Sequence, residues 1–358
     1  MSNFEIGIQM WPWYSVRTLL DYAERALKTY PFEQIWMCDE FQYEDSCTVL
    51  AAMAMRLDVS VGTMVTFPHR NPMELAQRFS TIAGLAQNGR EVACGIGAGG
   101  AVQEQVVNEK TAPMAVMEET VGFLTALFAG EAVELKSYPK LAARFRYNPR
   151  TRAKLYFPPK PKVPVYLAAG GPKMFEMAGR MGDGVILTQL NPWTSFSGIR
   201  RGMFQQAVQM VGEGLKARTD GAKFKKIYNL HISVSKDSDK AKQWAKRNTS
   251  YGLAGSLARY PEVLKATGVN LADVDTVREA YVKGLGVEEA ARRVSDKLLE
   301  DAGFIVAGTS KEVLAKCEAI MPLVRDYGVD HLVIGVPLGP NVPEALEIIA
   351  KEIIPALR

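Results

Sequence analysis

The sequence contains very little histidine and cysteine. Its 358 residues include three histidines and four cysteines. The histidines, at positions 69, 231 and 331, lie far apart in the sequence and give no basis for predicting a histidine-ligated metal site. The cysteines show no CxxC spacing, and Cys38 and Cys94 fall inside predicted strands, where a free thiol usually acts as a small apolar side chain. We therefore predict no metal site and expect the thiols to stay reduced.

Long apolar runs and a strong charge bias are also absent. No apolar run approaches the roughly 20 residues that a membrane span needs, and the N-terminus lacks the basic and apolar regions of a signal peptide. A net charge of +4 with a pI near 8.7 does not argue for nucleic acid. We therefore expect a soluble, cytoplasmic protein with a small-molecule substrate and no nucleic acid or membrane partner.

Short apolar runs alternate with helix-like segments along the whole chain. The predicted strands are Glu5–Met10, Glu33–Cys38, Val59–Thr66, Glu91–Ile96, Val163–Ala169, Val185–Leu187, Lys226–Val234 and His331–Val336. This alternation predicts an α/β fold, a (β/α)8 TIM barrel, with a doubly wound open sheet as the alternative. We predict one barrel domain over residues 1–358. It carries a basic, proline-rich insertion at 131–162 and a helical insertion at 239–302, between strands seven and eight.

A glycine turn ends the fifth predicted strand. Gly170 and Gly171 let backbone N–H groups approach a ligand closely, and the helix after Pro172 carries partial positive charge at its N-terminus. This pattern predicts an anion site, with a phosphate as its ligand. The alternative is a tight turn without a ligand.

Glycines also follow the fourth strand, where Gly95-x-Gly97-x-x-Gly100 formally matches a dinucleotide fingerprint. The fingerprint needs an acidic residue about 20 positions later at the end of the next strand. Here Glu118 and Glu119 fall inside a predicted helix, so we predict no Rossmann nicotinamide site. The glycines still suit a ligand that lies flat against the backbone.

Two carboxylates, Asp39 and Glu40, end the second strand. The carboxyl ends of barrel strands share one face, and burial there raises a carboxyl pKa toward neutrality, so the pair is a candidate for acid–base catalysis. A solvated loop start or a turn N-cap is the alternative. Arg70, between Pro68 and Pro72, is a further group that could hold an anion.

The segment 138–162 departs from the regular pattern because it is long, basic and rich in proline and aromatic residues. Such loops on a barrel are often lids or binding loops. Its cations and rings could grip an acidic, planar ligand. The alternative is a solvated surface loop.

Several short motifs, in a fixed order, resemble the bacterial-luciferase-like superfamily, and specifically its branch that depends on the deazaflavin coenzyme F420. The motifs are Gly62-Thr63-Met64-Val65-Thr66 with Asn71-Pro72, Gly95-Ile96-Gly97-Ala98-Gly99, Ala168-Ala169-Gly170-Gly171-Pro172 with Ala178-Gly179-Arg180, and Gly182-Asp183-Gly184. Near the C-terminus, Val306-Ala307-Gly308-Thr309 and the segment 333–340 look like methylenetetrahydromethanopterin reductase in particular.

The resemblance implies a barrel with an insertion, usually a homodimer, that binds F420 at the strand carboxyl ends. Asp39 would touch the polar ring system, and the bulge at Met64-Val65-Thr66, often with a cis peptide, would press on the back of the ring. The residues implied along the rest of the cofactor are Ala98, Gly99 and Gln103 beside its side chain and Ala168, Ala169, Gly170, Gly171 and Pro172 around its phosphate. A flavin mononucleotide (FMN) dependent monooxygenase of the same superfamily stays an alternative, as does a barrel that binds a cofactor without turnover.

Departures from the family motifs bear on the substrate. Glu40 replaces a histidine and Gly100 an acidic residue of the sugar-phosphate dehydrogenases, and Gln9 replaces a glutamate of the methanopterin reductases. We expect hydride transfer between the reduced deazaflavin and an electrophilic carbon or imine of a small organic, pterin-like or other substrate. Glu40 would donate or relay the proton. The remaining predicted site residues are Asp39 and Gln9 with a part in catalysis, and Trp11, Trp193 and Gln189 on the substrate side.

Overall fold

The computed structural model describes residues 4–99, 114–189, 194, 200–219, 221–255 and 261–358. The strands are β1 Glu5–Met10, β2 Gln34–Met37, β3 Ser60–Thr66, β4 Val92–Ile96, β5 Val133–Glu134, β6 Arg152–Ala153, β7 Val165–Ala168, β8 Gly184–Thr188, β9 Lys225–Val234, β10 Val306–Gly308 and β11 His331–Leu338. Eight of them pair in parallel in the order β1-β2-β3-β4-β7-β8-β9-β11, and β11 returns to β1. The ring is closed. The predicted (β/α)8 barrel is therefore confirmed, and the open-sheet alternative is wrong.

Three short strands lie outside the ring. β5 and β6 form an antiparallel pair within the basic segment, and β10 pairs in parallel with the end of β9. We did not predict these strands. Elements of two or three residues are too short to show the alternation from which strands are recognised.

Helices surround the ring. They are α1 Val16–Thr29, α2 Ser46–Arg56, α3 Pro72–Leu85, α4 Met114–Phe128, α5 Pro139–Phe145, α6 Pro172–Met181, α7 Arg200–Lys216, α8 Ser238–Ala254, α9 Pro261–Ala266, α10 Leu271–Val282, α11 Gly286–Arg292, α12 Asp296–Ala302, α13 Ser310–Tyr327, α14 Val342–Ile348 and α15 Ile354–Leu357. Local sequence fixes several starts. Asp45 and Asn71 cap α2 and α3 through their side chains, and Thr309 with Glu312 forms a capping box at α13.

Apolar side chains fill the interior of the ring. Trp36, Met64, Tyr166, Ile186 and Val333 belong to one buried cluster inside the barrel. A larger core lies between the strands and the outer helices. Because the interior is packed with side chains, a ligand site at the strand carboxyl ends is closed from below by the barrel core.

The helices α8 to α12 enclose a further apolar core of their own, which includes Leu253, Leu264, Val277, Leu298 and Phe304. The division into one barrel domain with insertions at 131–162 and 239–302 stays a prediction. In the part of the chain that the structure describes, none of the helices has the length and apolar character that crossing a bilayer requires.

Candidate active site

A cavity of about 250 Å³ lies at the carboxyl ends of the ring strands. Side chains that follow β1, β2, β3, β4 and β7 line one part of it, and residues of β8, β9 and α8 line the rest. Most of the wall area is apolar, and a small number of polar groups converge on the space. This is the usual composition of a small-molecule site.

The carboxylate of Asp39 is buried in the cavity wall and held by three hydrogen bonds. Arg70 donates from Nη2 to Oδ1 at 2.6 Å and from Nε to Oδ2 at 3.1 Å, and the Thr66 hydroxyl donates to Oδ2 at 2.7 Å. Burial lowers the pKa of the Arg70 guanidinium, but the hydrogen bond and charge of Asp39 outweigh burial, so that this pKa is raised. The two residues form a buried, two-pronged ion pair.

Glu40, the neighbouring carboxylate, is also buried and is 5% exposed. It accepts a hydrogen bond of 2.8 Å at Oε1 from the Tyr251 hydroxyl. Tyr251 lies near the end of α8, so the helical stretch after β9 supplies a side chain to the cavity. Since both carboxylates are buried, the alternative of a solvated loop start is wrong.

Gln9 connects five segments of the barrel through its amide group. Nε2 donates to the Met64 carbonyl at 2.8 Å and to Cys38 Sγ at 3.1 Å. Oε1 accepts from Asn229 Nδ2 at 3.0 Å and from the Val336 N–H at 3.3 Å. These contacts use both hydrogens and both lone pairs of the amide. Since an amide neither gives nor takes a proton near neutral pH, this geometry suits Gln9 to positioning rather than to proton transfer.

His231 is a buried, neutral imidazole in the same wall. Burial lowers its pKa to about 4, against a smaller opposite effect of its hydrogen bond to the Val336 carbonyl. Nδ1 lies 2.7 Å from that carbonyl, which can only accept, so Nδ1 carries the proton. Nε2 therefore accepts from the Thr188 hydroxyl at 2.9 Å and from Asn229 Nδ2 at 3.2 Å.

Apolar residues, among them Met64, Val65 and Ala168, form another part of the cavity wall. The Met64–Val65 peptide bond is cis, and the register of β3 against β4 shifts between Thr63 and Thr66, which is the bulge that the resemblance implies. A Cβ at Gly97 would lie 3.1 Å from Val65 Cγ2 and 3.5 Å from Ala168 Cβ. Gly97 therefore lets these side chains form one continuous surface.

The glycine turn after β7 borders the same cavity. Gly170 lines it, and Gly171 and Pro172 begin α6. Its N-cap residue, Gly171, has no side chain with which to cap the helix. Nearby, Gly99 has a φ of +85°, which favours glycine. Backbone N–H groups at a helix N-terminus suit an anion.

Most of the predicted site residues meet in this cavity. Those that line it are Gln9, Trp11, Asp39, Glu40, Met64, Val65, Ala98, Gly99, Ala168, Ala169 and Gly170. Thr66, Gly171 and Pro172 lie directly behind the lining. Gln103 and Trp193 lie outside the described residues.

The structure does not place Gln189 with the others. Side chains alternate along a strand, and Ile186 and Thr188 of β8 line the cavity. Gln189 therefore turns the other way and lines a second cavity beside Ile305 and Ile320. The structure thus does not bring Gln189 to the first cavity, and its place on the substrate side stays a prediction.

Sequence reasoning missed several lining residues, chiefly Cys38, Asn229, His231 and Tyr251. Alternation within the predicted strand 226–234 could have indicated Asn229 and His231 as a pair on one face, since they are two residues apart. Tyr251 had no local signal, because it lies 211 positions from its partner Glu40.

The fold and the site together define a class of protein: a (β/α)8 barrel with a small-molecule cavity at the strand carboxyl ends. The luciferase-like monooxygenase pattern matches residues 11–329. The chain therefore belongs to the luciferase-like monooxygenase family, and the resemblance noted in the sequence is confirmed.

Relatives carry more specific names. The chain is 30% identical over 347 residues to a 5,10-methylenetetrahydromethanopterin reductase of Archaeoglobus fulgidus, covering 95% of this chain and 96% of the relative. It is 27% identical over 362 residues to an F420-dependent glucose-6-phosphate dehydrogenase of Amycolatopsis mediterranei, covering 96% of each. A solved structure of the coenzyme F420 dependent tetrahydromethanopterin reductase from Methanopyrus kandleri superposes with a TM-score of 0.76 at 22% identity, over 99% of this chain and all of that one. This last likeness bears on the fold alone.

Proposed function

We propose that this protein is an F420-dependent oxidoreductase. It transfers a hydride between the reduced deazaflavin and an electrophilic carbon or imine of a small organic substrate. One observation carries the proposal: an apolar wall, a glycine turn at a helix N-terminus and two buried carboxylates share one cavity. The names of the relatives, which are F420-dependent dehydrogenases and methanopterin reductases, support it.

The described residues fit a phosphate-bearing tricyclic ring. Val65, Gly97 and Ala168 give the cavity an apolar surface on which a ring can lie, and a side chain at Gly97 would crowd Val65. The first turn of α6 offers N–H groups to a phosphate. Asp39 keeps part of its acceptor capacity for a ring N–H, since a carboxylate has about four acceptor sites and three are used.

When bound, the reduced deazaflavin supplies the hydride, and a reduced imine also needs a proton. Glu40 is suited to hold that proton on its carboxyl group, with Tyr251 orienting the group through Oε1. Burial and the nearby charges of Glu40 and Asp39 raise the pKa of the Cys38 thiol well above its usual range, which makes it a poor acid. His231 commits its only N–H to a backbone carbonyl. Glu40 is therefore the proton donor that the described lining residues favour.

The substrate side is aromatic. The ring centroid of Trp11 lies 4.7 Å from that of Trp13 and 5.4 Å from that of Tyr251. Among the described lining residues there is no lysine or arginine to hold a substrate phosphate. These features support a planar, uncharged or weakly charged acceptor, such as a pterin-like ring, rather than a sugar phosphate.

We infer further that the basic segment helps to hold an acidic tail on the cofactor. Residues 131–162 contain nine lysines and arginines and two glutamates, hence +7, whereas the whole chain carries +4. Tyr147 of this segment donates to the Asn71 side chain and accepts from the Met73 N–H at 3.3 Å. Because Asn71 caps α3 directly after Arg70, the segment is attached beside the cavity.

Neutralising Arg144, Arg146 and Arg150 together should weaken cofactor binding, and more so at low ionic strength than at high. Lys136 and Arg152 of the same segment form ion pairs with Glu134, and Lys162 forms one with Asp183, so a triple variant of these three cations is a control with the same change in charge. An unchanged dissociation constant in the first variant, or equal effects in both, would contradict the inference.

The proposed function is tested by titrating the purified protein with deazaflavin and with FMN side by side, following ligand fluorescence. Micromolar or tighter binding of the deazaflavin alone is expected. A preference for FMN, with oxygen consumption on reduction, would instead favour the FMN-dependent monooxygenase that the family name also describes. Binding of neither ligand would overturn both. The homodimer and the cytoplasmic location stay predictions.

A further inference from the structure

We propose that Arg70 is a positioning residue of the cofactor site. It fixes the carboxylate of Asp39 with one acceptor site left for the ligand, and it neutralises the Asp39 charge, which would otherwise repel the negative charge that the ring gains on reduction. This inference rests on the proposed function, because it assumes that a redox-active ring lies beside Asp39.

Arg70 acts through Asp39 rather than on a ligand directly. Asp39 lines the cavity, whereas Arg70 is not among the described lining residues. Nη2 and Nε of Arg70 occupy one site on Oδ1 and one on Oδ2 of the carboxylate, and Thr66 occupies the second site on Oδ2. One of the roughly four acceptor sites, on Oδ1, is left over. Arg70 fixes the orientation of the carboxylate, and Thr66 with Arg70 thus decides which oxygen of Asp39 can receive a ligand N–H.

Aromatic rings hold the guanidinium in place. Arg70 Cζ lies 4.8 Å from the centroid of the Phe41 ring and 5.6 Å from that of Phe67, and these two rings are 4.8 Å apart in an edge-to-face arrangement. Such contacts favour a cation over a neutral side chain. The next residue, Asn71, caps α3, so the backbone at Arg70 is fixed as well.

The ion pair sets the charge beside the ring. Reduction by hydride adds one hydrogen nucleus and two electrons, hence one negative charge unless a proton follows. An isolated buried carboxylate would repel that charge, but Asp39 and Arg70 together are neutral. Removing Arg70 leaves −1 at this position, removing the Asp39 charge leaves +1, and removing both restores zero. The preference for the reduced over the oxidised cofactor should follow these signs.

The experiment measures the dissociation constants of oxidised and reduced deazaflavin for the wild type, Arg70→Met, Asp39→Asn and the double variant. Arg70→Met should shift the ratio of the two constants at least tenfold toward the oxidised form, which corresponds to about 30 mV for a two-electron couple. Asp39→Asn should shift it toward the reduced form. The double variant should return to within about threefold of the wild-type ratio.

Thermal melting of the same variants separates this role from a purely structural one. A structural role would weaken both cofactor forms in proportion to lost stability and would leave their ratio unchanged. Arg70→Lys keeps the positive charge but loses the two parallel hydrogen bonds of the guanidinium. It should therefore weaken binding of both cofactor forms with little change in the ratio of their dissociation constants. If Arg70→Met does not fold, Asp39→Asn and Arg70→Lys still show whether the ratio of the two dissociation constants follows the charge at this position.

A ratio that is unchanged in folded variants, or that moves in the same direction in Arg70→Met and Asp39→Asn, would overturn the inference alone. Failure of the wild type to bind deazaflavin would overturn the proposed function and this inference together. The two failures are distinguished by the wild-type titration.

Discussion

Replacing Gln9 by glutamate changes one buried amide into an acid of the same shape, at the point where five segments of the barrel meet. The Nε2 donor would become an oxygen that faces the Met64 carbonyl, now 2.8 Å away. Two oxygens at that distance repel unless one carries a proton. The introduced carboxyl group should therefore stay protonated in the folded protein to a higher pH than in the unfolded chain.

The sign and size of the effect follow from this pKa. A folded-state pKa raised above the unfolded value of about 4.3 gives stability that is present below pH 4.3 and lost as pH rises toward the folded pKa. A rise to about 6.5 costs about 3 kcal/mol at pH 8. Unfolding entropy of about 2.1 cal/mol/K per residue gives roughly 0.75 kcal/mol/K for 358 residues, so melting should fall by about 4 °C.

Calorimetric melting of the wild type and the Gln9→Glu variant near pH 5 and near pH 8 measures the difference. The matched control is Gln9→Leu, which loses every amide contact and should be destabilised equally at both pH values. A Gln9→Glu variant that melts with the wild type at both pH values would refute the interpretation of Gln9 as a fully bonded amide.

Three further predictions concern the cavity wall and its acids. Glu40→Gln should lower kcat by about 10²- to 10⁴-fold with cofactor affinity unchanged, measured by steady-state kinetics and titration; unchanged kcat would exclude Glu40 as the proton donor. Gly97→Ala should fold, because its Cβ would approach only the Val65 side chain closely, at 3.1 Å, and would lie 3.8 Å from the nearest backbone atom, but it should weaken deazaflavin binding by roughly tenfold or more. Gly95→Ala would place a Cβ 2.2 Å from the Thr63 carbonyl oxygen and should lower the melting temperature. The pKa of His231 is about 4, so the wild type should lose about 3 kcal/mol of unfolding free energy as pH falls from 6.5 to about 4. Urea unfolding of the His231→Gln variant should not show this loss.

The eight ring strands could be predicted because they are short, largely apolar runs that alternate with helix-like segments, and several of them stop at glycine or a polar residue. The carboxylates Asp39 and Glu40 and the glycine turn were found for the same reason, since barrel strands bring their carboxyl ends to one face. Sequence position alone thus located most of the cavity.

The hydrogen-bond partners of the site residues could not be predicted from the sequence, because they lie on segments that are distant in the chain. Nothing near Asp39 in the sequence indicates that Arg70, 31 positions later, holds it, or that Tyr251 reaches Glu40 from a helix outside the ring. The short strands β5, β6 and β10 form only because neighbouring segments offer them hydrogen-bonding edges. Gln189 was assigned to the substrate side from its position at a strand end, whereas the structure places it at the second cavity.

Through Tyr251, the helices α8 to α12 affect the active site as well as their own packing. They enclose a separate apolar core, and α8 ends at the cavity. Regions with separate cores can open independently of one another, and amide hydrogen exchange reports each opening free energy. A transient opening of these helices would withdraw the Tyr251 hydroxyl from Glu40 while the barrel and its apolar wall stay intact. Under the proposed role of Glu40, the local stability of this helical group sets the fraction of time for which the site can transfer a proton. Substitutions in its core, far from any ligand, would then change turnover without changing cofactor affinity.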